Sequence, residues 1–163
     1  MTRSGRLAAL LYGTAAAAYL LDRVSKLWVE QALSGRAPLQ VIPRILRFTY
    51  TTNSGGAFGL GRSAPLLFAG ATLLVSILIV GASFRLSRPL VAVALGLVLG
   101  GALGNLTDRI ARGPGLSGKV IDFIDVRVWP VFNLADSAVV IGAVLLAIAS
   151  LQKGADEEGT EAS

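Results

Sequence analysis

Four stretches of this chain, about residues 7–28, 63–84, 89–107 and 136–152, are apolar enough and long enough to cross a bilayer, and they restrict the fold more than any other feature. At about 1.5 Å of rise per residue, a helix from Leu7 to Trp28 covers about 33 Å, which spans the hydrocarbon and leaves Trp28 at an interface. Backbone amides in lipid must be satisfied within their own segment, so runs of this kind form helices. Composition agrees, with 53% hydrophobic residues, 15% charged residues and a mean hydropathy of +0.66. Arg3 and Arg6 ahead of an uncharged run imitate a cleavable leader, but the helical pattern continues through Asp22, Arg23 and Lys26 and further spans follow. The first span is therefore read as retained. The uncharged part of the last, Ser137–Gln152, is slightly short, which puts Asp136 in its first turn near the membrane surface.

The connections differ in character. Residues 30–62 contain Pro38 and Pro43, which break helix, and a β-branched and aromatic run from Val41 to Thr52, which predicts a small extramembrane sheet. After it, Asn53 and the glycines that begin at Gly55 form a loop whose backbone can pass close to a ligand. Residues 108–135 form a second long loop, and 153–163 read as a disordered acidic tail. The expectation is an α-helical integral membrane protein: one domain, a four-transmembrane-helix bundle, and a small extramembrane β-sheet on the active-site face. Four spans joined in series place Asp22, Lys26, Asn53, Asp108, Asp122 and Asp136 on one face, with both termini and the Arg85/Arg88 turn on the other. By charge count the positive-inside rule favours a cytoplasmic polar face, since only Arg3, Arg6, Arg85, Arg88 and Lys153 lie on the terminal side. Gly96, Gly100 and Gly104, with Ala138 and Gly142, have the four-residue spacing that lets helices approach closely, and are expected to join the third and fourth spans.

There is no cysteine and no histidine, so acid–base chemistry falls to carboxylates and neither a thiolate nor an imidazole metal ligand is present. A net charge of +5 and a pI near 10.2 do not signal nucleic acid, because the basic residues are scattered without interleaved aromatics; anionic headgroups of membrane lipids are the better match. Four aspartates, Asp108, Asp122, Asp125 and Asp136, lie between the third and fourth spans. Asp122 sits in an apolar collar, Val120, Ile121, Phe123 and Ile124, that raises a carboxyl's pKa by desolvation; Asp125 lacks so tight a collar and is assigned to the surface. Asn133 and Asp136 have the spacing of a helix cap and first-turn acid, and capping alone would account for them. Brought face to face, however, Asp122 and Asp136 would share one proton, one activating water and the other protonating a substrate, the most economical hydrolytic device this composition allows. Asn105, Asp108 and Arg109 share one helical face at the membrane boundary, and Asp22 with Lys26, four residues apart, reads as a structural ion pair.

Five ordered motifs, Asp22 with Lys26, Asn53–Phe58 (N-x-G-x-A-F), Gly104–Arg109 (G-N-x-x-D-R), Val120–Phe123 (V-x-D-F) and Phe132–Asp136 (F-N-x-A-D), together resemble lipoprotein signal peptidase, or signal peptidase II. The resemblance implies a bacterial inner-membrane aspartic endopeptidase, without metal or cofactor, that cleaves a diacylglyceryl-modified prolipoprotein before its lipidated cysteine. It implies Asp122 and Asp136 as the catalytic pair. Asn53, Gly55, Asn105, Arg109 and Asn133 would hold substrate, with Asp108 orienting Arg109 or nearby backbone. It also implies cytoplasmic termini, a site near the outer leaflet, a sheet that cradles substrate, and a protein that acts as a monomer. Two other readings compete. Clustered aspartates can bind Mg²⁺ for phospholipid headgroup transfer, and a small proton-coupled transporter also uses membrane carboxylates, though near the midplane of a span.

Overall fold

The computed structural model describes residues 2–54 and 65–161, without the side chains of residue 65 and residues 153–161. Helix α1 runs Arg3–Leu33, strands β1 and β2 run Leu39–Ile42 and Leu46–Asn53, and α2 runs Pro65–Ala82. A 3₁₀ turn, Ser83–Arg85, leads to α3, Pro89–Ala111; strand β3, Val120–Asp125, and α4, Leu134–Glu161, complete the chain. All four α-helices are long and apolar enough to cross a membrane. Their outward side chains are the apolar ones: Leu67 and Leu78 on α2 are 69% and 62% exposed. Surfaces of this kind are stable where lipid, not water, is the surrounding medium.

Helix α3 is central and packs against α1, α2 and α4. Its small residues explain the close fit, and here the structure corrects an expectation. A Cβ on Gly96 would lie 2.6 Å from the Leu11 carbonyl, and one on Gly100 would meet Ala15 and Ala18, so that ridge faces α1 rather than the fourth span. Gly101, one residue round the helix, meets Ala135 of α4, while a Cβ on Gly142 would lie 2.6 Å from the Ala94 carbonyl of α3. Two separate small-residue faces therefore seat α1 and α4 on α3.

The sheet is antiparallel in the order β1-β2-β3. The expected sheet lay within residues 30–62, but its third strand comes from the loop between α3 and α4, with Thr51 opposite Asp122 and Asn53 opposite Val120. Val29 and Leu33 at the end of α1 form a small core with Ile121 and Phe123 of β3, and Phe48 of β2 packs against it. This core ties the sheet to the bundle. Helix ends also differ from expectation: α3 continues to Ala111, so Asp108 and Arg109 lie on a helix and not in a loop. Helix α4 continues through residues expected to be a disordered tail, because extending an existing helix is cheap and three of these residues are Glu.

Candidate active site

Strand alternation delivers the first carboxylate. Ile121 and Phe123 take the face of β3 that packs on α1, which turns Asp122 to the opposite face. There its Oδ1 accepts from Asn133 Nδ2 at 2.6 Å and its Oδ2 from Asn53 Nδ2 at 3.2 Å. Asp122 is buried, and its pKa is pushed up to about 7, first by desolvation and then by the negative charge of Asp136; the two amides and Lys26 pull the other way. This carboxyl therefore keeps a proton far above the ordinary range for an aspartate.

A helix start delivers the second. Asn133 precedes α4, and its Oδ1 accepts from the Asp136 backbone N–H at 2.8 Å while its own N–H donates to Asp136 Oδ2 at 3.4 Å. This reciprocal pair is a capping box, with aspartate in place of the usual glutamate. The cap fixes the Asn133 amide: because Oδ1 faces the helix, Nδ2 must face Asp122. Asp136 is only partly buried, and its Oδ1 accepts from Asn105 Nδ2 at 2.8 Å. Asn105 Oδ1 accepts in turn from Asn133 Nδ2 at 3.2 Å and from Lys26 Nζ at 2.9 Å. Two asparagine amides thus hold one oxygen of each aspartate, and Asn133 does so while it caps α4 as expected.

Lys26 joins this amide pair to an ion cluster. Lys26, fully buried, pairs with Asp22 Oδ2 at 2.8 Å and Asp108 Oδ2 at 3.0 Å, which includes the expected Asp22–Lys26 pair. Asp22 Oδ1 accepts from the Ala135 N–H of α4 at 3.0 Å. Asp108 was expected to orient Arg109 or nearby backbone; it holds backbone, accepting from Ile121 N at 3.2 Å, but its cationic partners are Arg23, Lys26 and Arg112. Arg23 and Arg112 were not singled out in the sequence. The signal was there for Arg112, four residues after Asp108 on the same helical face. Arg112 also grips Glu30 with two nitrogens, at 2.5 and 2.8 Å. Arg109 is buried, reaches the Gly118 carbonyl at 3.5 Å, and lies in the field of Asp122, Asp136 and Asp108.

Asp125 corrects another expectation. It is buried, not on the surface: Arg47 Nε donates to Oδ2 at 2.6 Å and the Arg127 N–H to Oδ1 at 2.8 Å. Desolvation opposes the charged form, but these donors outweigh it and hold the carboxyl below the usual range. Asp125 thus fastens β3 to β2 and stands apart from the amide pair. Gly55 lies outside the described residues. Among the described residues no three acidic side chains converge as an oxygen-lined cation site requires.

The chain is similar to known proteins. The family described as Signal peptidase (SPase) II matches residues 14–152. A lipoprotein signal peptidase of Streptomyces coelicolor is 45% identical over 160 residues, 98% of this chain and 78% of that one. One from Moorella thermoacetica is 43% identical over 143 residues, covering 86% and 91% of the two chains. A bacterial membrane enzyme solved by the in meso method at 2.3 Å resolution superposes with a TM-score of 0.74, at 30% identity and 88% coverage of both chains.

Proposed function

The chain belongs to the signal peptidase II family, multi-pass bacterial membrane aspartic peptidases that remove signal peptides from prolipoproteins, and we propose that Asp122 and Asp136 are its catalytic pair. The observation that carries this assignment is the amide bridge: Asn133 donates to Asp122 and to Asn105, and Asn105 donates to Asp136, drawing both carboxyls to one mouth at the helix ends. Asp122, the more buried, retains its proton to about pH 7 and acts as the acid. Asp136, at the open side, acts as the base.

In this mechanism the Asp136 carboxylate takes a proton from a water molecule as the water oxygen attacks the scissile carbonyl. Asp122 gives its proton to the carbonyl oxygen, and the resulting diol collapses with proton transfer to the departing amine. Asn53 and Arg109 steady the substrate backbone at the rim, with Gly55 in the adjoining loop. The substrate is a prolipoprotein carrying diacylglyceryl on the cysteine after the scissile bond, its lipid chains staying in the bilayer beside the helices. The termini face the cytoplasm, the dyad lies near the outer leaflet of the inner membrane, and the chain acts as a monomer.

The test is cleavage of a lipidated prolipoprotein, read as a mobility shift, by Asp122→Asn and Asp136→Asn proteins that unfold as cooperatively as the parent. Both are expected to lose at least about 10³-fold in rate, as removal of a member of an acid–base pair does. Full activity in either variant would sink the dyad.

A further inference from the structure

We propose that Lys26 is a positioning residue for catalysis, and not only half of a structural ion pair: it fixes the Asn105 amide so that its Nδ2 faces Asp136. The inference rests on the Asp122/Asp136 assignment above. Lys26 Nζ donates a hydrogen bond to Asn105 Oδ1 at 2.9 Å and forms ion pairs with Asp22 Oδ2 at 2.8 Å and Asp108 Oδ2 at 3.0 Å. Its side chain is fully buried, so no water competes for these positions.

An asparagine amide can turn end over end, exchanging oxygen for nitrogen. In Asn133 the helix cap forbids the exchange, because Oδ1 must accept the Asp136 N–H. Asn105 has no such cap. What holds it is Lys26 together with Asn133 Nδ2, the ammonium being the charged and closer donor, since a turned amide would press its NH₂ against an ammonium ion and present an oxygen to the Asp136 carboxylate. Asp22 and Asp108 serve as the seat of this cation, and each is also anchored to backbone, Asp22 to Ala135 of α4 and Asp108 to Ile121 of β3. The cluster thereby sets the ammonium against the α3 side chain that donates to Asp136.

Two variants separate the roles. Lys26→Met removes the cation and leaves Asp22 buried without it, which destabilises whatever the role. Asp22→Asn/Lys26→Met removes cation and acid together, and a neutral pair of similar volume is commonly tolerated where a buried ion pair stood. The expected result is that the double variant recovers the parent's thermal unfolding temperature to within a few degrees. Its kcat on lipidated prolipoprotein stays about 10- to 100-fold low, as misplacement of a catalytic group costs, with KM unchanged within about twofold. Recovery of kcat along with stability, or equal losses in kcat and KM that track stability, overturns the positioning role. Asp122→Asn is measured beside them. If it is inactive while the double variant is fully active, only the Lys26 inference fails; if it is active, the dyad fails and the inference with it.

Discussion

In the proposed dyad, Asp122 couples catalysis to stability. Its folded pKa, about 7 against an ordinary 3.8, means that the folded state binds a proton the unfolded chain has released between those pH values. The sign follows: the stabilisation is full below about pH 4 and is lost as pH rises through about 7, and for a carboxyl this buried it amounts to a few kcal/mol. Asp122→Asn is therefore expected to unfold at a higher temperature than the parent at pH 8 while showing no activity, with the two curves converging near pH 4. Thermal unfolding across pH checks this. The kcat/KM profile should have its alkaline limb near pH 7, where the acid loses its proton. Asp125→Asn is expected to behave in the opposite way, with kcat within about threefold of the parent and a loss of about 1 kcal/mol in unfolding, because its carboxylate bonds fasten β3 to β2 and lie apart from the amide pair. The collar around Asp122 made its burial and raised pKa legible from sequence. Asp125 was not legible, because its partner Arg47 is 78 residues away and no local pattern announces it.

At the scale of elements, one asparagine joins a helix start to a strand. Asn133→Ser keeps an oxygen to cap α4 but loses the N–H that Asp122 accepts. Stability should fall by less than about 1 kcal/mol while cleavage falls about 100-fold; a loss of stability large enough to explain the lost rate would show that the cap, not the donor, matters. The helices were legible because apolar length is a strong signal. The partner of each small-residue face was not: a four-residue period says that a neighbour approaches, not which one, and Gly100 and Gly101 point to different helices. The third strand was hidden for a related reason. Its register with β2 joins Asn53 to Val120, a pairing fixed only once the bundle brings the two loops together.

For the whole molecule, the series of four spans gathers both functional loops on one face, and the proposed orientation puts that face outside. The absence of native cysteine makes this simple to test in intact spheroplasts. Ser117→Cys, in the loop before β3, should react with a membrane-impermeant maleimide, whereas Phe84→Cys, at the α2–α3 turn, should react only after permeabilisation. The reverse pattern would place the dyad on the cytoplasmic side, as the plain charge count favours. The bond from Ala135 to Asp22 bears on biogenesis. Those residues are 113 positions apart, so the acid on α1 waits through most of translation for the amide that will occupy it. Asp136 enters the membrane with that same turn of α4, after every other part of the site has been synthesised. With the proposed dyad, a nascent chain is without a protease until α4 inserts, and a truncated product of stalled synthesis carries the scaffold but no cutting activity into the membrane.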